Sequence, residues 1–196
     1  DNGGPTHTIA LVFNSAAINA GTPGTLGLDQ RGFAQKGARR DIGAFEYQSD
    51  GNPFLVTSTG DTTANATIGE LRTAIAYANT NSYSAPVITF DEAGVFGSAR
   101  TIALALGQLE ITASQSITGS AAGVTLDAQG NSRVLEITGD TSPGGVVVTL
   151  DRLTFTGGNA IGFGGGIYID GSNGRKTDVT LLNSTVSGNS GFGGGG

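Results

Sequence analysis

The chain contains no cysteine, no methionine and no tryptophan. Zero cysteine excludes a disulfide framework and thiolate metal sites. Charge is scarce as well: Asp, Glu, Lys and Arg make up 13 % of the residues, against a usual ~25 %. The formal net charge is −6. No basic patch is visible and aromatics do not interleave with Lys or Arg, so nucleic acid is not an expected partner. No apolar run approaches the ~18 residues that mark a membrane span. Histidine occurs once, as His7, and no partners for a Ser/His/Asp or zinc site are suggested around it. It follows the turn Asn2-Gly3-Gly4-Pro5 and is expected to be solvated or locally hydrogen-bonded.

What the chain has in excess is glycine, 34 of 196 residues, more than twice the usual ~7 %. The glycines end short runs of Val, Ile, Leu and Thr, as turns do between strands. One unit also repeats. Residues 148–166 (VTLDRLTFTGGNAIGFGGG) return as 179–195 (VTLLNSTVSGNSGFGGG). Val148 recurs as Val179, Asn159 as Asn189 and Phe163 as Phe192, at offsets of 31, 30 and 29 residues. The second copy lacks the strand that follows the first, so the sequence reads as a window on a longer repeating polypeptide.

Residues 1–47 are expected to be the closing segment of a preceding unit. They hold a short apolar strand at Thr8–Phe13, a small-residue stretch at Ser15–Gly21 and a charged part at Asp29–Gly32 and Arg39–Glu46. Residues 48–53 (QSDGNP) read as a linker, and 54–196 as the start of the next unit. Thr67 and Glu70 fit a capping box, followed by Ile68, Leu71 and Ile75 on one apolar stripe with Ala74 and Ala78. A capping helix over 68–79 is expected. Beyond it, from 86 to 196, strands and turns are expected, the strands among them Val87–Phe90, Thr101–Leu106, Leu109–Thr112, Val124–Leu126, Val134–Ile137, Val146–Leu150, Leu153–Thr156, Gly166–Ile169 and Val179–Leu182. About three strands per ~30-residue period is the pattern of a parallel β-helix. The fold class expected is all-β, a right-handed parallel β-helix with one short amphipathic capping helix.

Several stretches resemble a known family. DNGGPTHTIAL, SAAINAG, DQRGF and ARRDIGAFE, in residues 1–46, are similar to the C-terminal end of the choice-of-anchor Q family of bacterial surface proteins. FLVTSTGD, GELRTAIAYANT, ITFDEAG, VTLDAQGNSRVLEI, LTFTGGNA, GGGIYI and NSTVSGNSGFGGGG resemble the start of the same kind of domain, or of polymorphic outer-membrane β-helices. Asn19 stands where the family pattern has Asp. The family's ending precedes its beginning, which implies tandem copies. The resemblance implies an extracellular or cell-surface β-helix without established catalytic activity.

The individual motifs favour structure over chemistry. The glycine runs Gly164, Gly165, Gly166 and Gly193–Gly196 lack the lysine and following helix of a phosphate loop, and suit turns with positive φ or close approach. Asn159 and Asn189, one period apart, are expected to stack as an asparagine ladder. In the group Asp29, Arg31, Arg39, Arg40, Asp41 and Glu46, the arginines are expected to pair with carboxylates and fix the closing segment. Glycosidase chemistry needs two carboxylates roughly 5–10 Å apart. Asp91 and Glu92 are adjacent but on opposite faces of a strand, while Asp127, Asp151 and Asp170 lie near strand ends where alignment would be needed. Asn65-Ala66-Thr67 and Asn183-Ser184-Thr185 match the glycosylation pattern, which arises readily by chance here. Tyr47, Tyr77, Tyr83 and Tyr168 are too scattered for an aromatic ladder.

The expected function is a non-enzymatic structural one, a segment of an extracellular fibre or surface layer that assembles head to tail with other copies of itself. An adhesin-type face for a surface glycan or protein is the alternative, and a polysaccharide lyase or hydrolase the second. No cofactor is expected; calcium is conceivable on this fold type, but no residue pattern supports it.

Overall fold

A computed structural model describes residues 5–9, 11, 15–18, 20–22, 27–35, 39–47, 52–62, 68–80 and 85–192. The chain divides into two compact units, Asp1–Asn52 and Pro53–Gly196. The expected linker at 48–53 spans that division, and 48–51 lie outside the described residues.

In the first unit the described residues form turns and one isolated antiparallel bridge, Leu28 to Ala34. The expected strand at Thr8–Phe13 is not seen at Thr8, Ile9 or Leu11, which are non-strand, and its other residues lie outside the described set. Ile9 is 89 % exposed, so no inward face draws these residues into a ladder.

The second unit is strand on strand. It comprises β1 (Leu55–Val56), β2 (Val87–Phe90), β3 (Arg100–Ala103), β4 (Leu109–Ile111), β5 (Gln115–Thr118), β6 (Val124–Asp127), β7 (Leu135–Thr138), β8 (Val146–Asp151), β9 (Leu153–Thr156), β10 (Asn159–Ala160), β11 (Ile167–Asp170), β12 (Thr177–Leu182), β13 (Thr185–Val186) and β14 (Ser190–Gly191). One helix, α1 (Leu71–Asn79), lies between β1 and β2. The strands form sheets ordered β1-β2-β5-β8-β12, β13-β9-β6-β3, β11-β7-β4 and β10-β14. Every pairing within them is parallel. From β2 onward the chain visits the five-, four- and three-stranded sheets in the same cyclic order on each pass. The mostly-strand expectation therefore holds, as parallel sheets with one helix.

Alternation decides what each strand buries. β5, β6, β7 and β9 each alternate buried with half-buried positions, as period-2 side chains require. The inward residues stack in register: Ile88 with Ile117 with Leu150 with Leu181, and Ile102 with Leu126 with Phe155 with Val186. Ile88, Ile117 and Leu150 are essentially sealed, whereas Leu181 is 41 % exposed. The core thus thins toward the last pass of the chain. On the outward side, Thr101, Thr125, Thr154 and Thr185 share one register line, where cross-strand Thr pairs add modest stability.

The helix starts later than its sequence suggests. Gly69 adopts φ +97, and its carbonyl accepts the N–H groups of Thr57 and Ser58, so residues 68 and 69 form a turn. Glu70 then occupies the N-cap position in extended conformation, without a side-chain cap bond. Its carboxylate instead accepts the Thr62 amide at 3.2 Å and the Thr62 hydroxyl at 2.8 Å. Glu70 is thus the N-cap and not the third helical residue that the capping box required; Thr67, the other half of that expectation, lies outside the described residues. Leu71, Ala74, Ile75 and Ala78 are buried at i, i+3, i+4 and i+7, the stripe that seats a helix. They pack against β1 and β4. No helix among the described residues is long and apolar enough to cross a membrane.

Candidate functional site

The most elaborate polar constellation lies on the three-stranded sheet. The tetrapeptide Leu-Glu-Ile-Thr occurs at 109–112 and again at 135–138. Its Leu and Ile point inward and are buried, so its Glu faces outward. Glu110 pairs in register with Glu136, and Glu136 with Tyr168. Neighbouring parallel strands are ~4.8 Å apart, so the two carboxylates sit side by side. Gln108 bridges them, donating from Nε2 to Glu136 Oε2 at 2.7 Å and to Glu110 Oε1 at 3.4 Å. Arg133 donates through Nη1 to the same Glu136 Oε2 at 2.7 Å and to Gln108 Oε1 at 2.9 Å. Its Nε and Nη2 hold the carbonyls of Gly164 and Phe163, both at 2.9 Å. The guanidinium lies over the Tyr168 ring, 4.6 Å from the centroid. Single-residue weighing of Asp and Glu misses this pair; the repeated Leu-Glu-Ile-Thr was its signal.

Beside this face runs a groove of about 700 Å³, between Arg72, Ile75 and Asn79 of α1 and the turn Leu106–Gly107–Gln108. Its walls are pinned. Arg72 donates Nε and Nη2 to the two oxygens of Asp61 at 2.6 and 2.9 Å, and reaches the carbonyls of Gln108 at 2.8 Å and Gly107 at 2.6 Å. Asp61 also accepts the Leu106 amide at 3.0 Å. Burial pushes the Asp61 carboxyl up, but the Arg72 bonds, the Leu106 amide and the Arg72 charge outweigh it and hold it below its ordinary value. Asn79 donates to Glu110 O at 2.7 Å and accepts from Thr112 N at 2.9 Å and Gln115 Nε2 at 3.0 Å. Three sequence-distant segments meet here through side-chain bonds that no motif announces.

The residues singled out from sequence have different fates. Asn159 pairs in register with Ser190, not with Asn189. No asparagine ladder forms, because the passes are 31 residues apart here while the two asparagines are 30 apart. Each amide still bridges neighbouring passes. Asn159 Nδ2 donates to Gly130 O at 3.2 Å. Asn189 Nδ2 donates to Phe155 O at 2.9 Å while its Oδ1 accepts Gly158 N at 2.8 Å. Gly164 has φ +61. Gly165 runs so close to the Ser190 carbonyl that a Cβ would overlap it, and a Cβ on Gly166 would press on Val186 and Asn189. Gly193–Gly196 lie outside the described residues.

Asp127, Asp151 and Asp170 do not line up. They belong to β6, β8 and β11, in three different sheets. Asp127 and Asp170 serve their own turns, accepting Gln129 N at 2.8 Å and Ser172 N at 2.9 Å, while Asp151 accepts Nδ2 of Asn183 on the following pass at 2.8 Å. The Ser172 amide and hydroxyl lower the Asp170 carboxyl below its ordinary value. Asp91 and Glu92 likewise hold Gly94 N and Ala121 N. His7 is exposed. Among the described residues no three His, Cys, Asp or Glu gather as metal ligands.

In the first unit Asp29 and Arg31 pair at 2.5 Å, with side chains 1 % and 8 % exposed. Asp29 also accepts the amides of Arg31, Phe33 and Glu46. Arg31 stacks on Phe45, 3.5 Å from its centroid, and donates to Glu46 O at 2.7 Å. Asp41 accepts Tyr47 N at 2.5 Å, and its own amide donates to Glu46 Oε1 at 3.2 Å. Gly21 N donates to Arg40 O at 2.7 Å, and the Arg40 guanidinium covers Gly27. Burial pushes Asp29 up, but the Glu46 amide, then Arg31, then the Phe33 and Arg31 amides prevail and lower it to about 2. A lowered carboxyl contributes stability above its unfolded value of 3.8, and loses it as pH falls toward 2. Burial raises Glu46, with the Asp41 amide opposing it, so its contribution has the opposite sign. Asp29→Asn is expected to weaken this unit by about 2 kcal/mol at pH 7. Amide exchange at Phe33 and Glu46 reads the loss, and the gap from the parent chain should close between pH 4 and pH 2.

Comparison with known proteins gives no match: no family model, no curated protein and no solved structure is detectably similar to this chain.

Proposed function

We propose that the chain is a structural segment of an extracellular or cell-surface tandem β-helix, whose units follow one another head to tail in a fibre or surface layer. The observation that carries this reading is the cyclic order of visits to three parallel sheets, with core residues stacked in register over about 30 residues per pass. A chain that winds in this way buries its inner face only by adding passes. The resemblance of the two halves to surface β-helix ends supports tandem arrangement and location. The helix α1 covers one end of the column with Leu71 and Ile75. At the other end Leu181 and Ile169 are 41 % and 45 % exposed, against near-complete burial of their register partners Leu150 and Ile137. Parallel addition of a further pass on β11 and β12 covers them, and satisfies backbone groups that an edge leaves open. Growth is therefore one-way within a unit, from the helix toward the last pass.

Hydrogen exchange tests this on the native surface protein and on the isolated 196-residue chain. The amides of Thr177–Leu182 are expected to be as protected as those of Val146–Asp151 in the native protein, and at least tenfold less protected in the isolated chain. Equal, weak protection in both would contradict stacking.

A further inference from the structure

We propose that the face built from Gln108, Glu110, Arg133, Glu136 and Tyr168, with the groove beside it, binds a neutral polysaccharide. The proposal is independent of stacking, since it uses a lateral sheet and not an end. Its ligand class follows from which groups remain available. Both hydrogen bonds to Glu136 converge on Oε2, leaving Oε1 outside them. Glu110 is exposed, and among the described residues its carboxylate takes only the long bond from Gln108 at 3.4 Å. A carboxylate has about four acceptor positions, so the face retains acceptor capacity and asks for a ligand rich in donors. Two carboxylates against one guanidinium leave net negative charge, which turns away uronates and sulfated glycans. Uncharged vicinal hydroxyls fit, each pair able to bridge a carboxylate or amide. Tyr168, half-buried with the Arg133 guanidinium over its ring, adds an apolar edge with a hydroxyl tip, a pairing that suits amphipathic sugar surfaces.

The geometry is set in advance. Arg133 ties Gln108, Glu136 and the loop carbonyls of Phe163 and Gly164 into one network. Arg72 and Asn79 fix the groove wall against the turn at 107–110. Little ordering cost then remains on binding. Glu110, Glu136 and Tyr168 lie in a line at strand spacing, about 10 Å from first to last, which suits an extended chain of sugars. The groove of about 700 Å³ continues that line and lies within the range of ligand sites, ~300–1,000 Å³.

The test titrates the isotope-labelled 196-residue chain with cellohexaose, maltohexaose, chitohexaose and hexagalacturonate, read by amide chemical shifts. At least one neutral hexasaccharide is expected to shift the amides of 108–110 and 133–136, while hexagalacturonate does not. Glu110→Gln and Tyr168→Ala are expected to weaken that binding at least tenfold, and Thr125→Ala, on another sheet, to leave it unchanged. Glu110 is exposed, so its variant keeps the fold. The idea is overturned if no neutral probe binds, if hexagalacturonate binds more tightly, or if both face variants bind like the parent.

Discussion

Asp61→Ala is expected to cost the second unit about 4 kcal/mol, lowering its thermal midpoint by about 10 °C. The Asp61 and Arg72 side chains are 2 % and 13 % exposed, so the ion pair is largely out of water. Removing the carboxylate leaves a guanidinium in a desolvated site, together with an unsatisfied Leu106 amide. The loss exceeds the net worth of the pair, because an orphaned buried charge is the costly state. Asp61→Ala combined with Arg72→Met is therefore expected to recover at least half of the loss. Thermal unfolding followed by circular dichroism distinguishes the cases; equal instability of single and double variants would show that the pair is not what joins helix, loop and turn. The lowered Asp61 carboxyl keeps this link present above its unfolded value and releases it in acid.

Leu150→Ala is expected to cost a similar amount, about 3–4 kcal/mol. Leu150 is 0 % exposed and lies between Ile117 and Leu181 in one inward column. Truncation leaves a void that parallel strands on both sides cannot close, so a cavity cost is added to the lost transfer energy. The same substitution at Leu181, 41 % exposed, is expected to cost about 1 kcal/mol in the isolated chain. Urea unfolding of the two variants measures the difference. In the native protein, where a further pass is proposed to cover Leu181, its cost should approach that of Leu150.

Much of the strand pattern was legible because glycine, asparagine and aspartate delimit short apolar runs. Val87–Phe90 and Leu153–Thr156 lie where those runs predict them, and most other strands differ at their ends by one to three residues. The helix was legible in its stripe, Leu71 and Ile75, but not in its start, because the positive φ of Gly69 overrides a good capping pattern. Lateral chemistry was harder to read. Asp127, Asp151 and Asp170 look alike in sequence but fall on three sheets, since the steps between them fall short of the full pass that separates register partners. Glu110 and Glu136 are 26 residues apart, short of the 30-residue period, yet they pair directly. The one-residue slip between Asn159 and Asn189 has the same origin: loops of different length absorb or add a residue at the corners. Asp61, by contrast, carries no local pattern at all; its role comes from Arg72, eleven residues on, and from the turn at 106.

Electron microscopy of the native material tests the central claim most directly. Elongated fibres of uniform width, with an axial repeat that divides into rises of about 4.8 Å per pass, are the predicted result. Discrete compact particles, or beads on a flexible string with no continuous axis, would contradict it.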